Sequence, residues 1–149
     1  SLSLFEWLVK KRDAKSQIAW SKREEIFELA SEGKLEELRE LLGKVDDNAK
    51  TKDGVNFVDA VDGSKRTPLH YAADREQVEV VKLLVESGAT VDMKDEDGMT
   101  ALLTAVMCEH EDIVKLLVDH GADINAEDID GETPLSLAEG AIKNILSSK

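Results

Sequence analysis

Residues 67–73 read TPLHYAA (Thr67-Pro68-Leu69-His70-Tyr71-Ala72-Ala73), and the chain runs on from there as DREQVEVVKLLVESGATVDMKDEDG. Thirty-three residues later Thr100 opens TALLTAVMCEHEDIVKLLVDHGADINAEDIDG, and after another 33 Thr133 opens TPLSLAEG. Self-similarity at a fixed period of this length is the signature of a repeat architecture, in which each unit is too small to bury its apolar face alone. Neighbouring units must stack to make one continuous core.

The content of each unit says that the pieces are helical. Thr67 suits an N-cap, and Pro68 suits the first helical position, where its missing N–H costs nothing. Leu69, Ala72 and Ala73 then line one face of a short helix, and the small alanines let a neighbouring helix come close. Val78, Val81, Leu84 and Val85 form the apolar stripe of a second, longer helix. Gly88 and Gly121 end those second helices, where glycine enters the left-handed conformation cheaply.

The pattern T-P-L-H-x-A-A, then V-V-K-L-L, then G-A-T-V-D, then D-x-D-G, closely resembles the ankyrin repeat. The resemblance implies an all-α repeat solenoid: helix-turn-helix units joined by β-turn or hairpin fingers, four units in all with an atypical first and last. It also gives His70 a family role, hydrogen bonding between neighbouring turns.

Working outward, Ser21 to Glu24 reads as a capping box that starts a helix, EEIFELASEG, followed by KLEELRELLG. Aligning Ala30 with Ala73 places Ile26, Leu35, Leu38, Leu41 and Leu42 on Leu69, Val78, Val81, Leu84 and Val85. Residues 24–66 are thus a divergent first repeat whose offset is 43 rather than 33. The ten extra residues fall between Gly43 and Arg66, in the inter-unit loop where repeat insertions collect. Loose alternation of Val55, Phe57, Val58 and Val61 there predicts a lengthened β-hairpin finger over 44–65. Residues 67–99 and 100–132 are the second and third repeats. Residues 133–149 are a truncated C-terminal cap: Glu139 stands where the earlier units carry Ala73 and Val106, and Ala141, Ile142, Ile145 and Leu146 make a brief second helix. Ahead of the repeats, Leu4, Phe5, Leu8 and Val9 share a helical face followed by Lys10, Lys11 and Arg12. Residues 1–23 therefore read as an amphipathic helical extension: a cap over the first repeat, a membrane-surface helix, or a junction to another part of a larger protein.

Composition bounds the function. The 149 residues suffice for one domain, and aromatic content of only 4% suits thin helices packed through Leu, Val and Ala. The net charge of −13 is uneven: residues 1–23 hold six Lys/Arg against two acids, and residues 24–149 hold 13 against 30. An acidic body repels phosphate backbones, which argues against a nucleic-acid partner. A single cysteine, Cys108, forbids a disulfide framework, and no apolar run approaches the length of a membrane span. Together with the lack of a signal-peptide pattern, this makes an intracellular and mainly cytoplasmic (or nuclear) setting the expectation.

No motif carries catalysis. DEDG at 95–98 and DIDGE at 128–132 invite a calcium loop, which needs ligands at positions 1, 3 and 5, Gly at 6 and Glu at 12. With Gly98 as position 6 the end positions are Met93 and Thr104, and with Gly131 they are Ala126 and Leu137. Both fail, so these are read as tight turns with Asp bonding to local backbone N–H groups. Cys108 and His110 are too close in sequence to face one another as nucleophile and base, and their acidic neighbours would raise the thiol pKa. His120 sits at a helix C-terminus, where a donor suits the free carbonyls. No cofactor, metal or catalytic site is expected.

What remains is surface. In stacks of this family the fingers and the exposed side of the first helix form a concave groove. Matching positions are Arg66, Asp74 and Arg75, then Glu96, Met99, Met107 and Cys108, then Ile129 and Glu132. The acidic tips Asp95, Glu96, Asp97, Asp128, Asp130 and Glu132 favour a protein partner with a basic surface, and Met107 and Ile129 suit apolar anchors. Two turns depart from the family pattern, with Glu76 and Glu109 where glycine is common. Asp74, Arg75, Cys108 and Glu109 resemble the C-terminal ankyrin region of acyl-CoA-binding-domain proteins over residues 24–140. That resemblance implies a regulatory or scaffolding region of a lipid carrier, with acyl-CoA bound only by a domain outside this segment.

Overall fold

The second, third and last repeats each begin where a threonine side chain caps a short helix in the computed structural model, which describes residues 24–43 and 57–148. The expected helix in residues 1–23 and most of the lengthened finger, 44–56, lie outside the described residues. Helix α1 runs over 24–32. It is followed by α2 (Leu35–Gly43), α3 (Pro68–Asp74), α4 (Val78–Glu86), α5 (Ala101–Met107), α6 (Glu111–Asp119), α7 (Pro134–Leu137) and α8 (Gly140–Ser147). Thr67, Thr100 and Thr133 cap α3, α5 and α7, each hydroxyl accepting from the third helical N–H, and Pro68 and Pro134 open their helices.

The short helices α3, α5 and α7 stack on one another, and the longer α2, α4, α6 and α8 form a second layer behind them. The core lies between the layers and is built from aliphatic side chains: Leu38, Val81, Leu84, Ile113, Val114 and Leu117 have no solvent exposure. Burying one such leucine fully stabilises the fold by about 1.5–3 kcal/mol. Ala72, Ala73 and Ala105, equally buried, let α3 and α5 approach closely. In α4 the buried stripe is Val80, Val81 and Leu84, with Val78 and Val85 packed at its margin. Val80 thus joins the expected set at its centre, and Val78 and Val85 are only partly covered, because both the first helix of its own unit and the next second helix press on α4.

Among the described residues there is no β-strand. The expectation of a strand through Phe57, Val58 and Val61 is corrected: Phe57–Asp59 is a 3₁₀ turn, and Val58 and Ala60 are buried in the core. Burial in the core, not strand pairing, accounts for Val58 and Ala60, while Val61 is exposed.

The repeats are tied by polar contacts that recur at the same period. Glu96 N–H donates to the Ser64 carbonyl and Ile129 N–H to the Asp97 carbonyl, both at 3.0 Å. Asp59 accepts from Thr90 N–H at 2.8 Å, and Asp92 from Asp123 N–H at 2.9 Å. At the start of the second helices, Gln77 Nε2 reaches the Ser31 carbonyl at 3.2 Å, and His110 Nε2 reaches the Asp74 carbonyl at 3.1 Å. These bonds satisfy carbonyls that the ends of the preceding first helices leave open.

Candidate functional site

The finger tips are built from one device used three times. Asp62, Asp95 and Asp128 each start a tight turn, with closing bonds Asp62 N to Arg66 O, Asp95 N to Met99 O and Asp128 N to Glu132 O of 3.1, 2.9 and 3.0 Å. One oxygen of each carboxylate accepts two backbone N–H groups from inside its turn: Ser64 and Arg66, Asp97 and Met99, Asp130 and Glu132. These aspartates therefore act as turn staples, as the tight-turn reading expects. In the first tip the Tyr71 hydroxyl donates to the other Asp62 oxygen, and the Arg66 guanidinium lies 4.7 Å above the Tyr71 ring. Burial alone would raise the Asp62 carboxyl. The hydrogen bonds from Tyr71, Arg66 and Ser64 outweigh it and hold the group below its ordinary range.

His70 locks the tips to the helices. Thr67 N–H donates to its Nδ1 at 3.0 Å, so Nε2 carries the proton and donates to the Met99 carbonyl of the next tip at 2.8 Å. The ring is 1% exposed, and burial pushes its pKa down against the pull of the Met99 carbonyl and Asp95. This is the inter-turn role that the resemblance implied.

Between the tips and the first helices runs a concave groove of about 590 Å³. It brings together Arg66, Asp74, Asp95, Glu96, Asp97, Met99, Met107, Cys108, Asp128, Ile129 and Asp130 of the expected surface residues. Arg75 and Glu132 do not line it. Arg75 is exposed with its Nε 3.9 Å from Asp74, and Glu132 accepts from the Ser136 hydroxyl at 2.5 Å. Ser64 and Thr104 line the groove as well and were not anticipated. The signal for Ser64 was its place one period before Asp97, whereas no expected groove residue lies one period from Thr104.

The side chains on this surface differ in how free they are. Met107 and Ile129 are 60% and 73% exposed. Arg66, held over Tyr71, is the one cation among the lining residues. Cys108 Sγ lies 3.5 Å from Asp74 Oδ1, and partial burial followed by that carboxylate raises its thiol pKa. His110 turns instead to the Asp74 carbonyl and toward Glu76, 3.8 Å away. The two do not form a nucleophile–base pair, and a raised pKa is the opposite of what an activated thiol requires.

A two-layer helical stack with regular finger turns and an open groove is a repeat scaffold, a class whose function lies in the surface it presents. The chain belongs to the ankyrin-repeat family: the family model for ankyrin repeats (three copies) matches residues 1–95, 26–128 and 89–146. Among curated proteins, it is 55% identical over 40 residues to the E3 ubiquitin-protein ligase hecd-1 of Caenorhabditis elegans, covering 27% of this chain and 2% of that protein. It is 35% identical over 82 residues to the probable E3 ubiquitin-protein ligase XBOS32 of Oryza sativa subsp. japonica and to the E3 ubiquitin-protein ligase XBAT32 of Arabidopsis thaliana. Those matches cover 55% of this chain and 15% of each plant protein. The chain thus spans a small part of the relatives it matches. The comparisons give no support to the finer resemblance to acyl-CoA-binding-domain proteins. Among the described residues no helix is long and apolar enough to cross a membrane.

Proposed function

We propose that this chain is a non-catalytic protein-binding module that holds a partner with a basic surface in the groove and along the finger tips. The observation that carries this reading is the groove itself. It pairs exposed apolar side chains with a rim of carboxylates, and one arginine is the lone cation among its lining residues. Desolvation of Met107 and Ile129 supplies binding energy, while the carboxylates steer a positively charged partner and raise its on-rate. The relatives support a non-catalytic part, since 82 residues amounting to 15% of a ubiquitin-protein ligase are a small share of such a protein. The lone thiol fits a reducing, cytoplasmic setting, which we propose on the same footing. The test is capture by the immobilised domain, compared with a Met107→Glu/Ile129→Glu variant whose melting temperature is matched. Loss of the captured proteins from the variant, and their release by salt, is the expected result. Unchanged capture by the variant would sink the proposal.

A further inference from the structure

Asp74 of the groove is engaged by Cys108 and Arg75, and Glu96, exposed, stands at the place that Ile129 holds in the next tip; the aspartates of the tips divide into two sets. Asp95 and Asp128 are consumed by their turns. Asp97 and Asp130, one period apart, are exposed, and neither side chain has a hydrogen-bond or ion-pair partner among the described residues. Ser64 holds the same place in the preceding tip, so this free row is two charges long. Equivalent atoms of adjacent repeats are separated by roughly 10 Å, the packing distance of neighbouring helices. An extended polyproline II segment advances about 3.1 Å per residue with three residues per turn, so residues i and i+3 share one face and span about that step.

We propose that the groove takes an extended segment of a partner protein with arginine or lysine at positions i and i+3, paired with Asp97 and Asp130. One apolar side chain between them seats on Ile129 and Met107, which line the same groove and stand 73% and 60% exposed. This inference rests on the binding reading above and adds the conformation and charge spacing of the occupant. Arg66 lines the same groove and would repel a third basic residue beside it.

The test uses two labelled peptides of equal composition, GSRALRSG with arginines at i and i+3 and GSALRRSG with them adjacent. Binding is followed by fluorescence anisotropy at low salt to the whole chain and to an Asp97→Asn/Asp130→Asn variant. The spaced peptide is expected to bind roughly threefold to fivefold more tightly, the worth of one additional exposed ion pair. That preference should vanish in the double variant and shrink with added salt. Equal affinity for both peptides, a preference that survives the double variant, or no binding of either would overturn the spacing. If partner capture sensitive to Met107→Glu/Ile129→Glu then persists, the spacing alone has failed and the binding module stands.

Discussion

Replacing His70 with leucine tests whether the buried imidazole holds the stack together as the geometry indicates. The ring accepts from Thr67 N–H at 3.0 Å and donates to the Met99 carbonyl at 2.8 Å. Leucine leaves the Thr67 N–H buried without its acceptor, which costs about 1–3 kcal/mol. Met99 O keeps its second donor, Asp95 N–H at 2.9 Å, so that side loses only about 0.5–1.5 kcal/mol. The added apolar burial returns about 1 kcal/mol, and the third repeat already accommodates Leu103 at the equivalent position with no exposure. The net expectation is a loss of about 2 kcal/mol, read as a lower urea midpoint at unchanged slope. The same variant predicts a pH signature. Burial depresses the folded pKa of His70, so the folded state binds fewer protons than the unfolded chain. The stability of the unmodified protein is therefore complete above about pH 6.5 and falls as pH drops below it, by up to about 1.4 kcal/mol per unit. The gap between unmodified protein and His70→Leu should therefore narrow from pH 7 to pH 5. A gap that stays constant over that range, or that is below about 0.5 kcal/mol at pH 7, would refute this account of the ring.

Two further expectations concern the backbone. Glu76 and Glu109 sit at φ 57° and 58°, the left-handed region that Gly33 occupies at 72° in the first repeat. Glu109→Gly relieves a cost of about 1–2 kcal/mol and adds about 0.5–1 kcal/mol of chain entropy, so thermal denaturation should show a gain of about 0.5–1 kcal/mol; destabilisation would contradict it. Gly98→Ala should be more damaging than Gly131→Ala, although φ is similar at 74° and 79°. A Cβ at 98 would meet the Ile129 backbone nitrogen at 2.9 Å, whereas nothing lies within 4 Å of one at 131. Chemical denaturation of the pair should show at least about 1 kcal/mol more loss at 98, and equal losses would show that the tips do not press on one another.

Much of this architecture can be read from residue spacing, because a repeat writes its core three times. Thr67, Thr100 and Thr133 mark helix starts, and the apolar stripes recur at the same offset, so noise at one position is corrected at another. Even the replaced glycines were visible as Glu76 and Glu109, since the left-handed turn they must make is set by their neighbours. The segment before the second repeat resisted reading for the converse reason. Val58 and Val61 occur once, and over so few residues alternation does not separate a strand from a turn with one side chain buried in the core. The groove residues were legible as a set, but their division was not. Asp95 and Asp97 are the same amino acid two residues apart, and only the backbone of the folded turn shows that one is a staple and the other is free. The reach of His70 to the next tip, by contrast, was legible through the family resemblance, and Leu103 at the matching place of the third repeat has no side-chain donor to make it.

The period-matched bonds between units have a consequence for how such a protein can change its length. The junction made by Gln77 with Ser31 and the junction made by His110 with Asp74 use the same donor position and the same acceptor position. The tip bonds from Glu96 and Ile129 are likewise interchangeable in form. A duplicated stretch corresponding to residues 67–99 would therefore meet, on both of its faces, the donors and acceptors it already expects. Gene duplication can lengthen the groove by one unit without inventing a new contact, and the two atypical ends would still close the stack.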